Sequence, residues 1–150
     1  MAKDMLKVLF LCTGNSCRSQ MAEGWALHLK SDEVEVYSAG TETHGLNPNA
    51  VKVMAEAGVD ISGHKSKTVA DLKVKEFDYV ITVCSDADQN CPIFPGNAVK
   101  VHHGFDDPPQ LAKAAETEQE ALSHYRRVRD EIRDYVMTLP GFLPSDPRAK

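Results

Sequence analysis

The chain has 150 residues, of which 42% are hydrophobic and 26% charged, and its formal net charge is −5. This length favours a single domain, residues 1–150, with a core large enough to be stable by itself. The acidic balance argues against a nucleic-acid partner or an anionic membrane, because both bind through lysine and arginine. No apolar run approaches the ~20 residues of a membrane span, and the N-terminus does not read as a signal peptide. We therefore expect a cytoplasmic monomer.

The first part of the chain predicts strands that alternate with helices. Residues 6–11 are a continuous apolar run, typical of a strand buried on both faces. After a polar loop, apolar residues recur at helical spacing over residues 19–30. Residues 34–38 alternate and are rich in valine, which predicts a second strand. Asn47-Pro48 is typical of a helix start, with Gly58 at its end.

The second part continues this alternation. We expect a short helix near residues 69–72, a buried strand over 79–83 and a short strand over 98–102. The segment 104–109 (GFDDPP) predicts a turn, and apolar residues at helical spacing predict a long helix over 116–139. The pattern as a whole predicts an α/β fold with a mostly parallel sheet and helices on both faces.

Cys12 and Arg18 lie six positions apart, on a loop between a predicted buried strand and the start of a predicted helix. Unpaired N–H groups and the helix dipole attract anions there. Gly14 and Asn15 tolerate the positive φ that lets such groups converge on a tetrahedral oxyanion, and the guanidinium can bind two of its oxygens. The same field stabilises a thiolate, so we predict that Cys12 is a nucleophile. The predicted oxyanion-binding loop comprises Thr13, Gly14, Asn15, Ser16, Cys17, Arg18 and Ser19.

Three further cysteines leave several interpretations open. Cys17 is either a small buried filler or a redox partner of the nucleophile. Cys84 and Cys91 are seven residues apart, so in a helix their Cα atoms would be roughly 10 Å apart. A disulfide needs about 4.4–6.8 Å, so the segment would have to unwind to form one. The pair could instead be simply buried, or could bind zinc with His102 and His103, although their spacing exceeds that of common zinc sites.

Five segments together resemble one known family. They are CTGNSCRSQMAEGW (12–25), YSAGTETHGLNPNAV (37–51), the segment 83–92, HGFDDP (103–108) and RVRDEI (127–132). They resemble the thioredoxin-coupled arsenate reductases, which share the low-molecular-weight tyrosine phosphatase fold. The resemblance implies a four-stranded parallel sheet and the reduction of arsenate to arsenite, a detoxification reaction.

The resemblance also implies roles for individual residues. Cys12 would attack arsenic, with Asp107 rather than Asp106 as the general acid. Cys84 would then attack the Cys12 sulfur, and Cys91 would resolve that bond to leave a Cys84–Cys91 disulfide. Thioredoxin would reduce this disulfide, without any bound cofactor, although a glutaredoxin pathway stays open.

Asn15, Glu23 and Ser38 match residues that surround a potassium ion in some relatives. Lys67 is basic where those relatives are acidic. Its ammonium could take the place of the cation, so we predict that activity depends only weakly on potassium.

Other departures are smaller. His103 stands where an aromatic residue is expected, residues 110–121 resemble a surface insertion, and the tail 140–150 is expected to be loose. The remaining histidines are expected to have ordinary surface or structural roles; these are His28, His44, His64 and His124.

Two other functions compete with arsenate reduction. A phosphotyrosine phosphatase would use the same loop and acid, because phosphate and arsenate are nearly isosteric. Such an enzyme needs neither Cys84 nor Cys91, and commonly carries tyrosines after the Asp-Pro, where this chain has Pro109-Gln110. Weak residual phosphatase activity is compatible with the reductase. A non-enzymatic thiol that binds arsenite or a metal is the third possibility.

Overall fold

The computed structural model describes residues 5–74, 76–84 and 98–139. Within these ranges, four strands form one sheet: β1 (Leu6–Cys12), β2 (Val34–Gly40), β3 (Tyr79–Thr82) and β4 (Val99–His102). The strand order is β2-β1-β3-β4 and every pairing is parallel. The predicted four-stranded parallel sheet is therefore confirmed. The predicted loose tail, 140–150, lies outside the described residues.

The central strand explains why the sheet forms. Val8, Leu9, Phe10 and Leu11 are all fully buried in β1. Because successive side chains of a strand point to opposite faces, both faces of the sheet are covered there. The long apolar run in the sequence is thus the middle of the sheet, paired on both sides.

In the described part of the chain, four helices accompany the sheet: α1 (Arg18–Leu29), α2 (Pro48–Glu56), α3 (Pro108–Ala112) and α4 (Glu118–Met137). Helix α2 begins as its sequence predicts, because the Asn47 side chain accepts hydrogen bonds from the N–H groups of Asn49 and Ala50. Its end is followed by Gly58, with φ +86°. Helix α1 packs against β2 and α4, and α4 also contacts α2.

Two local features differ from the predictions. The expected helix at 69–72 is a single 3-10 turn, Val69–Asp71. The expected turn at 104–109 runs into α3, because Pro108 and Pro109 occupy its first positions, where a fixed φ and a missing N–H favour a helix start. Asp107 consequently occupies the N-cap position of this helix.

The parallel order brings several chain segments to one edge of the sheet. Cys12 ends β1, Gly40 ends β2, Cys84 comes two residues after β3, and the segment 103–107 follows β4. Ligands of open parallel sheets bind at this edge, beyond the carboxyl ends of the strands.

None of the described helices is both long and apolar enough to cross a lipid bilayer.

Candidate active site

The loop from Cys12 to Arg18 is held by main-chain hydrogen bonds from the segment after β2. The N–H groups of Glu42, His44 and Asn47 donate to the carbonyls of Thr13, Gly14 and Ser16 at 2.9, 3.0 and 3.1 Å. Asn15, in this loop, has a φ of +47° and is the one non-glycine residue with positive φ among the described residues. Asparagine tolerates this conformation better than most residues. These contacts give the loop one fixed shape.

Gly40 is required where this segment crosses the loop. A Cβ there would lie 2.4 Å from the Glu42 carbonyl oxygen, 2.6 Å from that of Thr13 and 2.7 Å from the Asn15 nitrogen. All three neighbours are backbone atoms, which cannot rotate away. Only glycine therefore lets β2 end directly beneath the loop.

The sulfur of Cys12 lies in a buried polar network. Its Sγ is 2.8 Å from the Ser19 hydroxyl, which accepts a hydrogen bond from Asn15 Nδ2 at 2.9 Å. The orientation of the Asn15 amide follows from its other partner, since the backbone N–H of Lys67 donates to Asn15 Oδ1 at 2.9 Å. Gln20 Nε2 donates to the same oxygen at 2.9 Å. The side chains of Asn15, Ser19 and Gln20 are completely buried.

Arg18 and Asp107 lie beside each other and line the same cavity as Cys12. The guanidinium donates from Nη1 to the carbonyl of Phe105 at 2.9 Å, and its Nη2 lies 3.6 Å from Asp107 Oδ1. The segment that carries Asp107 is itself fixed, because the N–H of Phe105 donates to the Val83 carbonyl at 3.1 Å. The arginine is thus oriented by the fold and placed beside the carboxylate.

These groups surround a cavity of about 410 Å³. Its walls include the side chains of Cys12, Arg18 and Asp107, three of the predicted catalytic residues. The neighbouring Asp106 instead forms an ion pair with Arg127 at 3.1 Å. The structure therefore separates the two aspartates, which the sequence distinguished only through the family resemblance. The other lining residues are Thr13, Gly14, Ser16, Cys17, His44, Asn47 and Pro109.

The described cysteines occupy different environments. Cys84 is buried after β3, and its Sγ lies 3.3 Å from the Thr13 hydroxyl, next to the nucleophile in the chain. Cys17 is also buried, and this burial, together with the nearby Cys12, raises the pKa of its thiol. A neutral, buried thiol favours the interpretation of Cys17 as a filler. Cys91, and with it the predicted Cys84–Cys91 disulfide, lies outside the described residues.

An aromatic stack supports the carbonyl that holds Arg18. The His103 ring stacks on Tyr135 with centroids 4.1 Å apart, and Phe105 lies 4.8 Å from the histidine ring. His103 thus occupies the place expected for an aromatic residue and packs as one. Burial, and secondarily His102, lowers the pKa of His103, which keeps the ring neutral in the stack. His102 itself lies 2.8 Å from the Thr82 hydroxyl.

The residues that resemble a potassium site lie together. Ser38 accepts from Asn15 at 3.0 Å and donates to Glu23 at 2.7 Å. The Lys67 ammonium lies 3.8 Å from the same carboxylate oxygen, and the His64 ring lies 3.6 Å from it. These residues fit a bound cation poorly, because the ammonium already supplies positive charge to Glu23. The structure thus places Lys67 where the sequence-based prediction needs it.

Sequence reasoning missed His44, for which it predicted an ordinary role. The structure places its ring over Gly14, and a Cβ on that glycine would lie 2.3 Å from His44 Nδ1. The ring also lines the cavity. Position 44 lies in the THGLNP segment between β2 and α2, and nothing local in that segment distinguishes a cavity residue from a surface one.

The chain is similar to known proteins. The family model described as low molecular weight phosphotyrosine protein phosphatase matches residues 7–145. An arsenate reductase of Halalkalibacterium halodurans is 53% identical over 131 residues, which cover 87% of this chain and 92% of that protein. A solved arsenate reductase in its phosphate-binding state has a TM-score of 0.69 at 31% identity, covering 90% of this chain and 96% of the other.

A third relative is the thioredoxin-dependent arsenate reductase of Corynebacterium glutamicum. Its structure has a TM-score of 0.60 at 28% identity, over 91% of this chain and 64% of the other. The length of the family match and the identity to the H. halodurans protein agree with the fold described above. The chain therefore belongs to the low molecular weight phosphotyrosine protein phosphatase family, in the group that contains these arsenate reductases.

Proposed function

We propose that this protein reduces arsenate to arsenite and thereby contributes to arsenic resistance. The observation that carries the proposal is the cavity in which Cys12, Arg18 and Asp107 meet, with Cys84 against the adjoining Thr13. A phosphatase needs the first three residues and has no use for the second thiol. The activity named for the relative that is 53% identical supports the same substrate.

The first step is a nucleophilic substitution at arsenic. Arsenate binds over the loop, with Arg18 and the helix N-terminus opposite its charge. The Cys12 thiolate attacks arsenic, and one arsenate oxygen leaves as water with a proton from Asp107. The product is an adduct in which the Cys12 sulfur is bonded to As(V). No electrons have yet been transferred.

The second step is the reduction. The Cys84 thiolate attacks the Cys12 sulfur, a Cys12–Cys84 disulfide forms, and the sulfur–arsenic bond breaks. Its electron pair stays on arsenic, which leaves as arsenite, As(III). Two thiolates have supplied the two electrons. The 3.3 Å contact of Cys84 with the Thr13 hydroxyl supports this assignment, because it places the second sulfur beside the loop of the first.

The third step regenerates the nucleophile. Cys91 attacks the Cys84 sulfur, releases Cys12 as a thiolate and leaves a Cys84–Cys91 disulfide, which the dithiol of thioredoxin reduces. This part of the proposal rests on the sequence and on the thioredoxin dependence named for the C. glutamicum relative. Electrons thus come from an external protein and not from a resident cofactor.

Steady-state reduction of arsenate with thioredoxin, thioredoxin reductase and NADPH tests the proposal. We expect turnover for the wild type and its loss in each of Cys12→Ser, Cys84→Ser and Cys91→Ser. Ser62→Ala, at an exposed turn away from the cavity lining, is the control and should keep turnover. Multiple turnovers of Cys91→Ser, or no Cys84–Cys91 bond in mass mapping after one turnover, would contradict the relay.

Hydrolysis of phosphomonoesters is the second candidate, favoured by the match to a phosphatase family model. Cys12, Arg18 and Asp107 would serve it equally, so the cavity does not separate the two reactions. The second thiol does, because arsenate reduction requires Cys84 and phosphomonoester hydrolysis does not. If hydrolysis of p-nitrophenyl phosphate is the main activity, it should be fast in both wild type and Cys84→Ser, with no arsenate turnover in either protein. As a side reaction it should be slow in both.

A further inference from the structure

His44 lines the cavity and lies against Gly14 of the oxyanion-binding loop. Its backbone N–H donates to the Gly14 carbonyl at 3.0 Å, and its Nδ1 is the ring atom nearest the place that a Cβ on Gly14 would occupy. Glycine at position 14 therefore lets the His44 side chain lie close against the loop. About half of the side-chain surface is exposed, so the ring is in reach of solvent and of a bound anion.

The other ring nitrogen is held by a carboxylate. His44 Nε2 lies 2.5 Å from Glu42 Oε2. An ionised carboxylate only accepts hydrogen bonds, so Nε2 carries the proton. Nδ1, the nitrogen that faces the loop, is then an acceptor while the ring is neutral. It becomes a second donor, on a cationic ring, as soon as the ring is protonated.

From this geometry we propose that His44, oriented by Glu42, is a further oxyanion-binding residue. The protonated ring donates from Nδ1 to an oxygen of the bound anion and adds a positive charge to that of Arg18. The neutral ring, which presents a lone pair at Nδ1, binds the anion less well. Anion binding and protonation of His44 therefore favour each other. This inference rests on the proposed function, since it takes the cavity to bind a tetrahedral oxyanion.

The charged groups around His44 set the direction of this coupling. Glu42 lies on the same segment and stabilises the imidazolium. The positive charge of Arg18, at the start of α1, opposes a positive charge on the His44 ring. The Cys12 thiolate and the Asp107 carboxylate, which line the same cavity, favour it. Histidine in general is the side chain whose charge changes between about pH 5 and pH 8, which sets the pH values for a binding experiment.

Sulfate binding tests the inference, because sulfate is tetrahedral, cannot be reduced and stays a dianion across this pH range. Its affinity is measured as protection of Cys12 against iodoacetamide, read by peptide mapping, in the wild type and in His44→Gln. Glutamine keeps an amide near the Nε2 position and lacks both Nδ1 and the charge. We expect sulfate to bind His44→Gln about five-fold more weakly at about pH 6, and the two proteins to differ less than about two-fold at about pH 8.5.

Two further variants make the result interpretable. His124→Gln, on α4 and away from the cavity lining, should bind sulfate as the wild type does at every pH. Glu42→Gln keeps the ring and should lower the pH at which strong sulfate binding is lost, which provides a test even if His44→Gln folds poorly by circular dichroism. Equal sulfate affinity of wild type and His44→Gln at about pH 6, or a difference that is the same at both pH values, would overturn the inference.

The outcome is separable from that of the proposed function. If sulfate binding depends on His44 but the protein does not reduce arsenate, the inference about His44 holds and the proposed reductase activity is wrong. If the protein reduces arsenate but His44→Gln binds sulfate as the wild type does, the reductase proposal holds and the inference about His44 is wrong.

Discussion

The Ser19 hydroxyl lies 2.8 Å from the Cys12 sulfur, and toward a thiolate, which carries no hydrogen, Ser19 is the donor. The Asn15 amide donates to the Ser19 oxygen, which leaves the hydroxyl hydrogen available to the sulfur. A hydrogen bond donated to a thiolate stabilises its charge, whereas burial alone would disfavour it. The network thus holds a donor against the Cys12 sulfur.

Replacing Ser19 with alanine should slow the reactions of Cys12. A hydrogen bond to a charged group contributes about 1.5–3 kcal/mol, and about 1.4 kcal/mol corresponds to a factor of ten. We expect alkylation of Cys12 by iodoacetamide at about pH 7 to become at least about ten-fold slower in Ser19→Ala. Ser62→Ala, at an exposed turn, is the control and should react at the wild-type rate. Equal rates for all three proteins would mean that Ser19 has only a packing role.

The backbone crossing at Gly40 should not tolerate a methyl group. In Gly40→Ala the new Cβ meets three backbone atoms at 2.4–2.7 Å, so the loop has to shift. We expect a loss of about 3 kcal/mol in the free energy of unfolding and loss of sulfate binding at Cys12. Gly63→Ala is the matched control, since a Cβ there would have no described heavy atom within 4 Å. Its unfolding free energy should change by less than about 0.5 kcal/mol.

The strands, the helix starts and the nucleophile loop could be predicted from local sequence. Three of the signals are local: the apolar run of β1, the Asn47-Pro48 pair and the spacing of Cys12 and Arg18. Because each involves only a few neighbouring residues, it can be recognised in a single sequence. The predicted fold and family are confirmed by the sheet and by the comparisons.

What the sequence could not supply depends on distant backbone. The Asn15 amide is oriented by the N–H of Lys67, which comes from a segment 52 residues away. The role of Arg18 depends on the Phe105 carbonyl, 87 residues away. The sequence does not distinguish His44 from a surface histidine, because its position at the cavity depends on the folded nucleophile loop. Such contacts follow from tertiary structure, and no period or motif in the chain encodes them.

Potassium should have little effect on turnover, because Lys67 supplies positive charge 3.8 Å from Glu23. We expect rates in potassium chloride and sodium chloride to agree within about two-fold. In Lys67→Asp, the loss of the ammonium and the added carboxylate should make turnover depend on potassium. Lys65→Asp, the same charge change at an exposed position, should leave the rates in the two salts equal. Strong activation of the wild type by potassium would contradict the prediction.

The stack of His103 on Tyr135 should make stability depend on pH. Burial lowers the pKa of His103 in the folded state below its value in the unfolded chain, so the unfolded state binds the proton more readily. The stabilisation is complete above the unfolded pKa of about 6.5 and is lost as the pH falls through the folded pKa.

The variant His103→Phe keeps a stacking ring and removes this titration. Urea unfolding at several pH values should show the variant gaining stability relative to wild type as the pH falls below about 6.5. His124→Gln, at a partly exposed position of α4, is the control and should follow the wild-type curve more closely. If the free energies of unfolding of wild type and His103→Phe changed in parallel with pH, protonation of His103 would not affect stability and the prediction would be wrong.

The central position of β1 has a consequence for the lifetime of the site. Since β1 is hydrogen-bonded to β2 on one side and β3 on the other, its amide hydrogens should exchange with solvent only when the whole molecule unfolds. Cys12 is the last residue of that strand. The strand at the base of the cavity is therefore expected to unfold only together with the whole protein. Repeated catalytic cycles would then take place on the part of the fold that is least subject to local unfolding.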